Sequence, residues 1–345
     1  MRGHLDVNEI SKKAKRELGD GVRAVEGHRE LLRQLQPLLA LLVMVIALSL
    51  LTDKFLTMSN MWNVLRQISV NIVISVGMTL VILTGGIDLS VGSILAFTGA
   101  VTAGLLKNGM QIAFMNVMIQ FNLFEAIIIG IIVGTGLGLF NGLMITRFRV
   151  PPFVATLGML TIGRGLTMLW TGGFPITGLG PKFAVIGTGW FLGVPVPVWI
   201  SLVTILIAVF IIQKTRFGRY VYAIGGNEQA ARISGLNVAK VKSIVYGASG
   251  ALAAMGGIIV TSRLDSAQPN AGSGYELDSI AAVVIGGTSL SGGRGTVVGT
   301  VLGAVIIGVL NNGLVLLNVS PFWQQVIKGF VILGAVVIDR WKAVE

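Results

Sequence analysis

About ten apolar stretches of this chain read as helices, and several exceed the roughly 18 apolar residues that mark a membrane-spanning helix, more than a soluble core can absorb. The sequence predicts helices near Pro37–Leu51, Ile68–Leu83, Leu89–Leu106, Leu123–Ile145, Val154–Trp170 and Val194–Ile212, then Val241–Ser262, Leu277–Ile285, Thr296–Leu317 and Phe322–Ile338. The eighth is too short to cross alone, so it is either extended into its flanks or broken. Charged residues make up only 12% of the chain against 53% hydrophobic, where a soluble domain carries about a quarter charged. The expected fold is an all-α polytopic membrane protein of about ten transmembrane helices. A charged arm, 1–36, precedes a transmembrane domain, 37–340.

Basic residues set the expected orientation, because cytoplasmic loops near spans are enriched in Lys and Arg. Eight lie in the arm between Arg2 and Arg33, two at Arg147 and Arg149, and six between Lys214 and Lys242; Arg294, Arg340 and Lys342 fall on the same side. The opposite side holds Lys54, Arg66, Lys107, Lys182 and Arg263. Both termini are therefore expected in the cytoplasm. The net charge of +11 is a topology signal, and no nucleic-acid partner is implied. The arm interleaves its eight cations with six acids, which fits a solvated or surface-lying helix. Its charge runs throughout, without the short apolar core of a cleavable signal peptide.

With no cysteine and only His4 and His28, both in the arm, a disulfide framework, thiol nucleophile or intramembrane histidine metal centre is excluded. Two glycine-rich phrases stand out. VILTGGIDLSVGS, from Val81, and VVIGGTSLSGGRG, from Val283, share Gly-Gly-x-x-Leu-Ser-x-Gly at an offset of 201, as read from the chain. A second echo relates NGLMITRFRVPPF at Asn141 to NGLVLLNVSPF at Asn312. Together they suggest an internal duplication, whose halves are either inverted or parallel. Each phrase is read as tight packing or as a sharp turn or broken helix at the cytoplasmic side. Small residues every fourth position, at Gly130, Gly134, Gly138 and Gly142 and at Gly295, Gly299 and Gly303, predict close helix packing. GGTSLSGGRGT looks like a phosphate loop, but it lacks the lysine that must follow the second glycine, so any ATP is bound by another chain.

The longest charged inner loop, 214–242, contains Asn227 as a helix N-cap, Glu228 in the first turn and Gly235 as the stop. A helix of about two turns is expected there. It is too short to be stable alone, so it docks against something.

Here the chain resembles a known family. GGNEQAARISGLNVAKVK, SAQPNAGSGYELDSIAAVVIGGTSLSGGRGT and LTGGIDLSVGS look like the permease subunits of ATP-binding-cassette sugar importers. The likeness is strongest to the ribose-type branch, with its xylose, galactose and arabinose relatives, and runs from about Leu38 to Ile338. It implies a non-enzymatic translocation subunit in a bacterial cytoplasmic (inner) membrane, paired with a second copy of itself. It also implies a two-cassette cytoplasmic ATPase that binds the ATP and Mg, no cofactor in this chain, and a soluble extracytoplasmic sugar-binding protein. By the same resemblance, Gly226, Asn227, Glu228, Ala231, Arg232 and Gly235 form the coupling helix.

Arg164 and Lys328 are the ionisable residues expected inside spans. Each is a candidate for the path, since a charge in hydrocarbon costs roughly 2.5–3.5 kcal/mol at a helix centre unless paired or wet. Neutral sugar hydroxyls suit uncharged polar side chains, so Asn71, Thr156, Thr161, Gln324 and Gln325 join them. Arg66, Lys182, Arg263 and Asp265 on outer loops are candidates for docking the binding protein. A self-contained secondary transporter is the alternative. Against it stands the apparent lack of an intramembrane acidic relay, with Asp88 and Glu125 read as interfacial. No nucleophile–base set or metal cluster supports a membrane enzyme.

Overall fold

The computed structural model describes residues 37–112 and 117–344; the arm 1–36, with His4 and His28, lies outside them. Among the described residues thirteen helices occur: α1 Pro37–Leu51, α2 Met58–Leu83, α3 Val91–Asn108, α4 Leu123–Thr146, α5 Pro152–Thr171, α6 Pro181–Thr188, α7 Val196–Lys214, α8 Arg216–Gly226, α9 Glu228–Ile233, α10 Val238–Leu264, α11 Tyr275–Ile285, α12 Val297–Leu316 and α13 Pro321–Val344. Seven of them (α2, α3, α4, α5, α7, α10 and α12) are long and apolar enough to cross a membrane. Three two-stranded antiparallel ribbons lie in the connections between helices. All ten predicted segments fold as helices. The clearest boundary difference is at α2, which starts ten residues earlier than predicted because the Thr57 side chain caps it by accepting from the Asn60 amide. The eighth segment is the broken one: α11 begins after Gly274 in the left-handed region and ends at Gly286.

Burial follows side-chain distribution. Every residue of α2 from Ile68 to Leu83 is buried, Ser69, Asn71, Ser75 and Thr79 among them, which keeps these polar side chains away from lipid. By contrast, α4 buries one stripe containing Gly130, Gly134, Gly138 and Gly142. A methyl on Gly138 would overlap the Tyr246 carbonyl, and one on Gly134 would lie 2.7 Å from the Gly250 oxygen. The predicted small-residue seam is thus an α4–α10 contact at backbone distance. In the second set Gly299 and Gly303 pack on Gly286 and Ala282 of the α11 end. Gly295 is a correction: it precedes the Thr296 cap of α12 and lies against Thr288.

Polar contacts fix how the helices run. In the α4–α10 seam Gly134, Gly138 and Gly142 meet Gly250, Tyr246 and Ser243 in turn, so the two are antiparallel. In the α2–α12 pair Thr79 bonds Thr300 at 2.7 Å near one end, and Asn60 and Asn312 exchange amide bonds of 2.9 and 3.0 Å near the other; these also run antiparallel. The Asn-Gly echo marks two similar turns, each with a left-handed residue, Arg149 (φ 57°) or Asn318 (φ 55°), before the proline that opens the next helix. They lie at opposite ends of the bundle. Asn141 donates to Ser90 at the start of α3 (2.9 Å), while Asn312 meets Asn60 at the start of α2.

The Gly-Gly echo behaves differently. In both phrases the preceding helix closes with an amide reaching back five residues, Gly86 to the Val81 carbonyl and Thr288 to the Val283 carbonyl, each at 3.1 Å. Gly85 (φ 75°) and Gly287 (φ 84°) supply the left-handed residue that this closure needs. The structural offset is therefore 202, one more than the phrase suggests. Both turns sit at the same end and touch, with the Gly293 amide donating to the Leu83 carbonyl at 3.0 Å.

Candidate functional site

The segment 214–242 is almost wholly helical, where one short helix was expected. Thr215 caps α8 by accepting from the Gly218 amide, and α8 buries Gly218, Val221 and Ile224 beneath exposed Arg216 and Arg219. Gly226 ends α8 and so lies outside the short helix, which corrects its expected membership. Asn227 then caps α9, its side-chain oxygen accepting from the Ala230 amide at 2.9 Å. Ala231 is buried, Arg232 is exposed, and Gly235 (φ 84°) turns the chain toward the Asn237 cap of α10.

Glu228 ties α9 down. One carboxylate oxygen pairs with Arg232 at 3.0 Å and the other with Lys242 of α10 at 2.6 Å. The Lys242 hydrogen bond holds the carboxyl below its usual range, against a partial desolvation that pushes it up; Arg232 adds to the lowering. Lys242 was visible in the sequence only as part of a basic loop. Ile233, 87% exposed, leaves an apolar tip on an otherwise polar turn.

The α8 end abuts both glycine phrases. Gly225 has no room for a methyl group, which would overlap the Leu83 carbonyl and crowd the Gly293 amide. The Tyr222 hydroxyl donates to the Gly295 carbonyl at 2.8 Å.

The path candidates do not converge on one cavity. Asn71 is buried in α2, and Thr156 is buried in α5, donating to the Pro152 and Ile87 carbonyls at 2.9 and 3.2 Å. Thr161 is exposed on α5 and bonds back to the Leu157 carbonyl, and Gln325 is also exposed. Gln324 is half-buried and donates to the Val319 carbonyl at 2.8 Å. Arg164 turns inward, one nitrogen donating to the Ala271 and Pro269 carbonyls at 2.7 and 3.2 Å. Lys328 pairs with buried Asp278 at 3.1 Å, and Asn311 donates to the same oxygen at 3.2 Å.

Two carboxylates, Asp88 and Asp278, are buried inside the bundle. Asp88, expected at the interface, is fully buried. One of its oxygens accepts from the Ser90 amide (3.0 Å) and hydroxyl (2.5 Å), and the other accepts from Ser249 of α10 at 2.9 Å. A serine two residues on is a readable turn signal; Ser249, 161 positions away, is not. Asp278, the second residue of the predicted segment Leu277–Ile285, is buried in the first turn of α11.

The docking candidates also divide. Arg66 lies within α2, its guanidinium carbon 4.9 Å from the centre of the Trp190 ring. Lys182 is exposed at the start of α6, on an apolar groove of about 810 Å³ with Leu106, Phe124 and Phe183. Arg263 is half-buried in the last turn of α10. Asp265 serves the fold: left-handed at φ 48°, it accepts the Leu179 amide on its carboxylate at 2.9 Å and the Gly178 amide on its carbonyl.

Comparison with known proteins gives the following. Residues 60–336 match a family model described as branched-chain amino acid transport system / permease component. The chain is 51% identical over 314 residues to the ribose import permease protein of Bacillus subtilis (strain 168), covering 90% of this chain and 94% of that one. It is 50% identical over 315 residues to the ribose import permease protein of Escherichia coli (strain K12), covering 90% and 95%. To the D-allose transport system permease protein of the same strain it is 39% identical over 303 residues, covering 88% and 90%. Among solved structures none gives a significant match.

Proposed function

The chain belongs to this permease family and is the sugar-translocating subunit of an ATP-binding-cassette importer, without an ATPase site of its own, and from that premise we propose that its cargo is ribose. The observation that carries the proposal is the 50–51% identity to ribose import permeases over nine-tenths of the chain, against 39% to the allose protein. A related pentose or hexose is the nearest alternative cargo.

The finer assignments form part of the same proposal. The domain 37–340 crosses a bacterial inner membrane about ten times, with both termini and α9 in the cytoplasm and the arm 1–36 on that side. Two copies pair around the path, a two-cassette ATPase holds ATP and Mg beneath them, and a soluble sugar-binding protein delivers cargo from outside. Asn227, Glu228, Ala231, Arg232 and Gly235, following Gly226, dock on the ATPase; exposed Ile233 and the Glu228 clamp to α10 support this. Arg164 and Lys328 flank the path through the α11 region, with Asn71, Thr156 and Gln324 behind them. Arg66, Lys182 and Arg263 remain the candidates for binding-protein contact. The halves are an inverted duplication, α2–α5 against α10–α13. Support comes from the paired antiparallel seams, α4 with α10 and α12 with α2, and from similar proline turns at opposite ends.

The test is reconstitution of this chain with its own ATPase and binding protein in liposomes. Ribose at micromolar level is expected to stimulate ATP hydrolysis and to accumulate inside. Stimulation by allose or galactose, with none by ribose, would overturn the cargo assignment.

A further inference from the structure

We propose that Tyr222, Gly225 and the two glycine phrases form a backbone joint that passes movement of α9 directly to α2 and α12. The inference rests on the reading of α9 as the helix that docks on the ATPase. It goes further by naming the residues that carry the displacement inward.

Three chain segments meet at the α8 terminus. From the first phrase comes the end of α2, with the Leu83 carbonyl accepting the Gly293 amide at 3.0 Å. From the second comes the loop Ser289–Gly295, which is closed on itself by the Ser289 amide to the Arg294 carbonyl at 2.9 Å and the Gly292 amide to the Ser289 carbonyl at 3.0 Å. Between them lies Gly225–Gly226. A methyl on Gly292 would stand 2.9 Å from the Gly85 nitrogen and 3.0 Å from the Gly225 oxygen, and one on Gly293 would stand 2.7 Å from the Gly226 nitrogen. A methyl on Gly225 has no space at all. The three backbones therefore touch one another without intervening side chains, and such a contact transmits displacement because it cannot be compressed or repacked. Tyr222 fastens the far side through its bond to Gly295, immediately before the Thr296 cap of α12.

Not every glycine nearby is needed for space. Gly226, Gly235 and Gly287 have nothing within 4 Å of an added methyl, so tightness is confined to the points where segments cross. Asn227 alone separates α9 from Gly226. A shift of α9 thus has two outlets: α10 through Glu228–Lys242, and α2 with α12 through the joint. The two phrases are alike because each ends a helix with a left-handed glycine and then presents bare backbone to the same strut.

The experiment uses the complete complex of permease, partner ATPase and binding protein in liposomes. It reads the ATPase that co-purifies, the basal hydrolysis rate, and sugar taken up per ATP, with ribose as probe, or allose where ribose is not carried. Gly225→Ala is expected to keep its ATPase but to lose about tenfold or more in uptake per ATP, since a methyl forced into a packed contact must displace it. Tyr222→Phe, which removes one hydrogen bond and no volume, is expected to lose about two- to tenfold. Gly136→Ala on α4, with nothing within 4 Å of the added methyl and no part in the joint, is expected to stay within about twofold of wild type.

Wild-type uptake per ATP in Gly225→Ala and Tyr222→Phe, with the ATPase in place, would overturn the joint. So would a loss in Gly136→Ala as large as in Gly225→Ala. Should Gly225→Ala fail to reach the membrane folded, Tyr222→Phe decides on the same readout. The docking premise fails separately, if a Glu228→Ala/Arg232→Glu variant retains the ATPase.

Discussion

Lys328 and Asp278 allow a prediction in which the two halves of one ion pair behave unequally. Asp278 is 4% exposed and Lys328 27%. Replacing Lys328 by Met leaves a buried carboxylate whose remaining neutral bond to that oxygen comes from Asn311 at 3.2 Å. Breaking a fully buried pair in this way costs about 3–5 kcal/mol, and water reaching the quarter-exposed lysine site lowers that to about 2–3 kcal/mol. Replacing Asp278 by Asn removes the buried charge and leaves a lysine that can extend its ammonium group toward water, at a cost of about 1 kcal/mol. At about 2 °C or more per kcal/mol for a chain of this size, Lys328→Met should lower the detergent melting midpoint by about 4–6 °C. Asp278→Asn should lower it by only about 2 °C. The double variant should melt above Lys328→Met alone, because the stranded carboxylate is gone. The assay is the monodisperse fraction surviving brief heating, read by size-exclusion chromatography at one fixed heating time. Equal loss in the two single variants, or a double variant no better than Lys328→Met, would refute the reasoning.

Three further outcomes follow from the same physics. Because the Glu228 carboxyl sits below its usual range when folded, its clamp is fully present above the unfolded carboxylate value and is lost as pH falls through the lower folded one. The protection factors of the α9 amides, exchange rates corrected for their intrinsic pH dependence, should therefore hold down to the ordinary carboxylate value and fall below it, with Glu228→Gln losing that pH dependence. In the α4 seam, Gly138→Leu should abolish monodisperse extraction by driving a side chain into the Tyr246 carbonyl, whereas Gly136→Ala, with nothing within 4 Å, should be neutral. Asp88→Asn replaces an acceptor of three hydrogen bonds by a group with one oxygen and two surplus donors. It should destabilise the protein by about 2 kcal/mol, and Ser249→Ala by about 1 kcal/mol, in the same melting assay.

Helix positions were legible because the bilayer imposes a one-dimensional rule, length of apolar sequence, that needs no knowledge of partners. The exceptions are instructive. α8 was invisible to that rule: it is an amphipathic helix whose Arg216, Arg219 and Tyr222 read as loop until Val221 and Ile224 are seen to be buried on one face. α9 was legible from Asn227 and Gly235, since caps are local, but its anchor Lys242 lies fourteen residues on, across a turn. Asp88 was misjudged for the opposite reason. Position near a span end says nothing about depth once loops fold back into the bundle, and its partner Ser249 is 161 residues away.

The two sequence echoes show most sharply what similarity of wording can mean. NGLMITRFRVPPF and NGLVLLNVSPF are alike because each ends one helix and opens the next with a left-handed residue followed by proline, at opposite ends of the bundle; that is the relation expected of inverted halves. The Gly-Gly phrases are alike for a local mechanical reason. They terminate α2 and α11 at the same end, where each must close a helix and then leave its backbone bare for Gly225 and its neighbours. An inversion with ends exchanged does not map one of these turns onto the other, because both lie at one end of the bundle and both press bare backbone on α8. The one-residue discrepancy, 202 in the hydrogen bonding of the turns against 201 in the lettering, shows that the same closure and the same crossing are made with a different register between them.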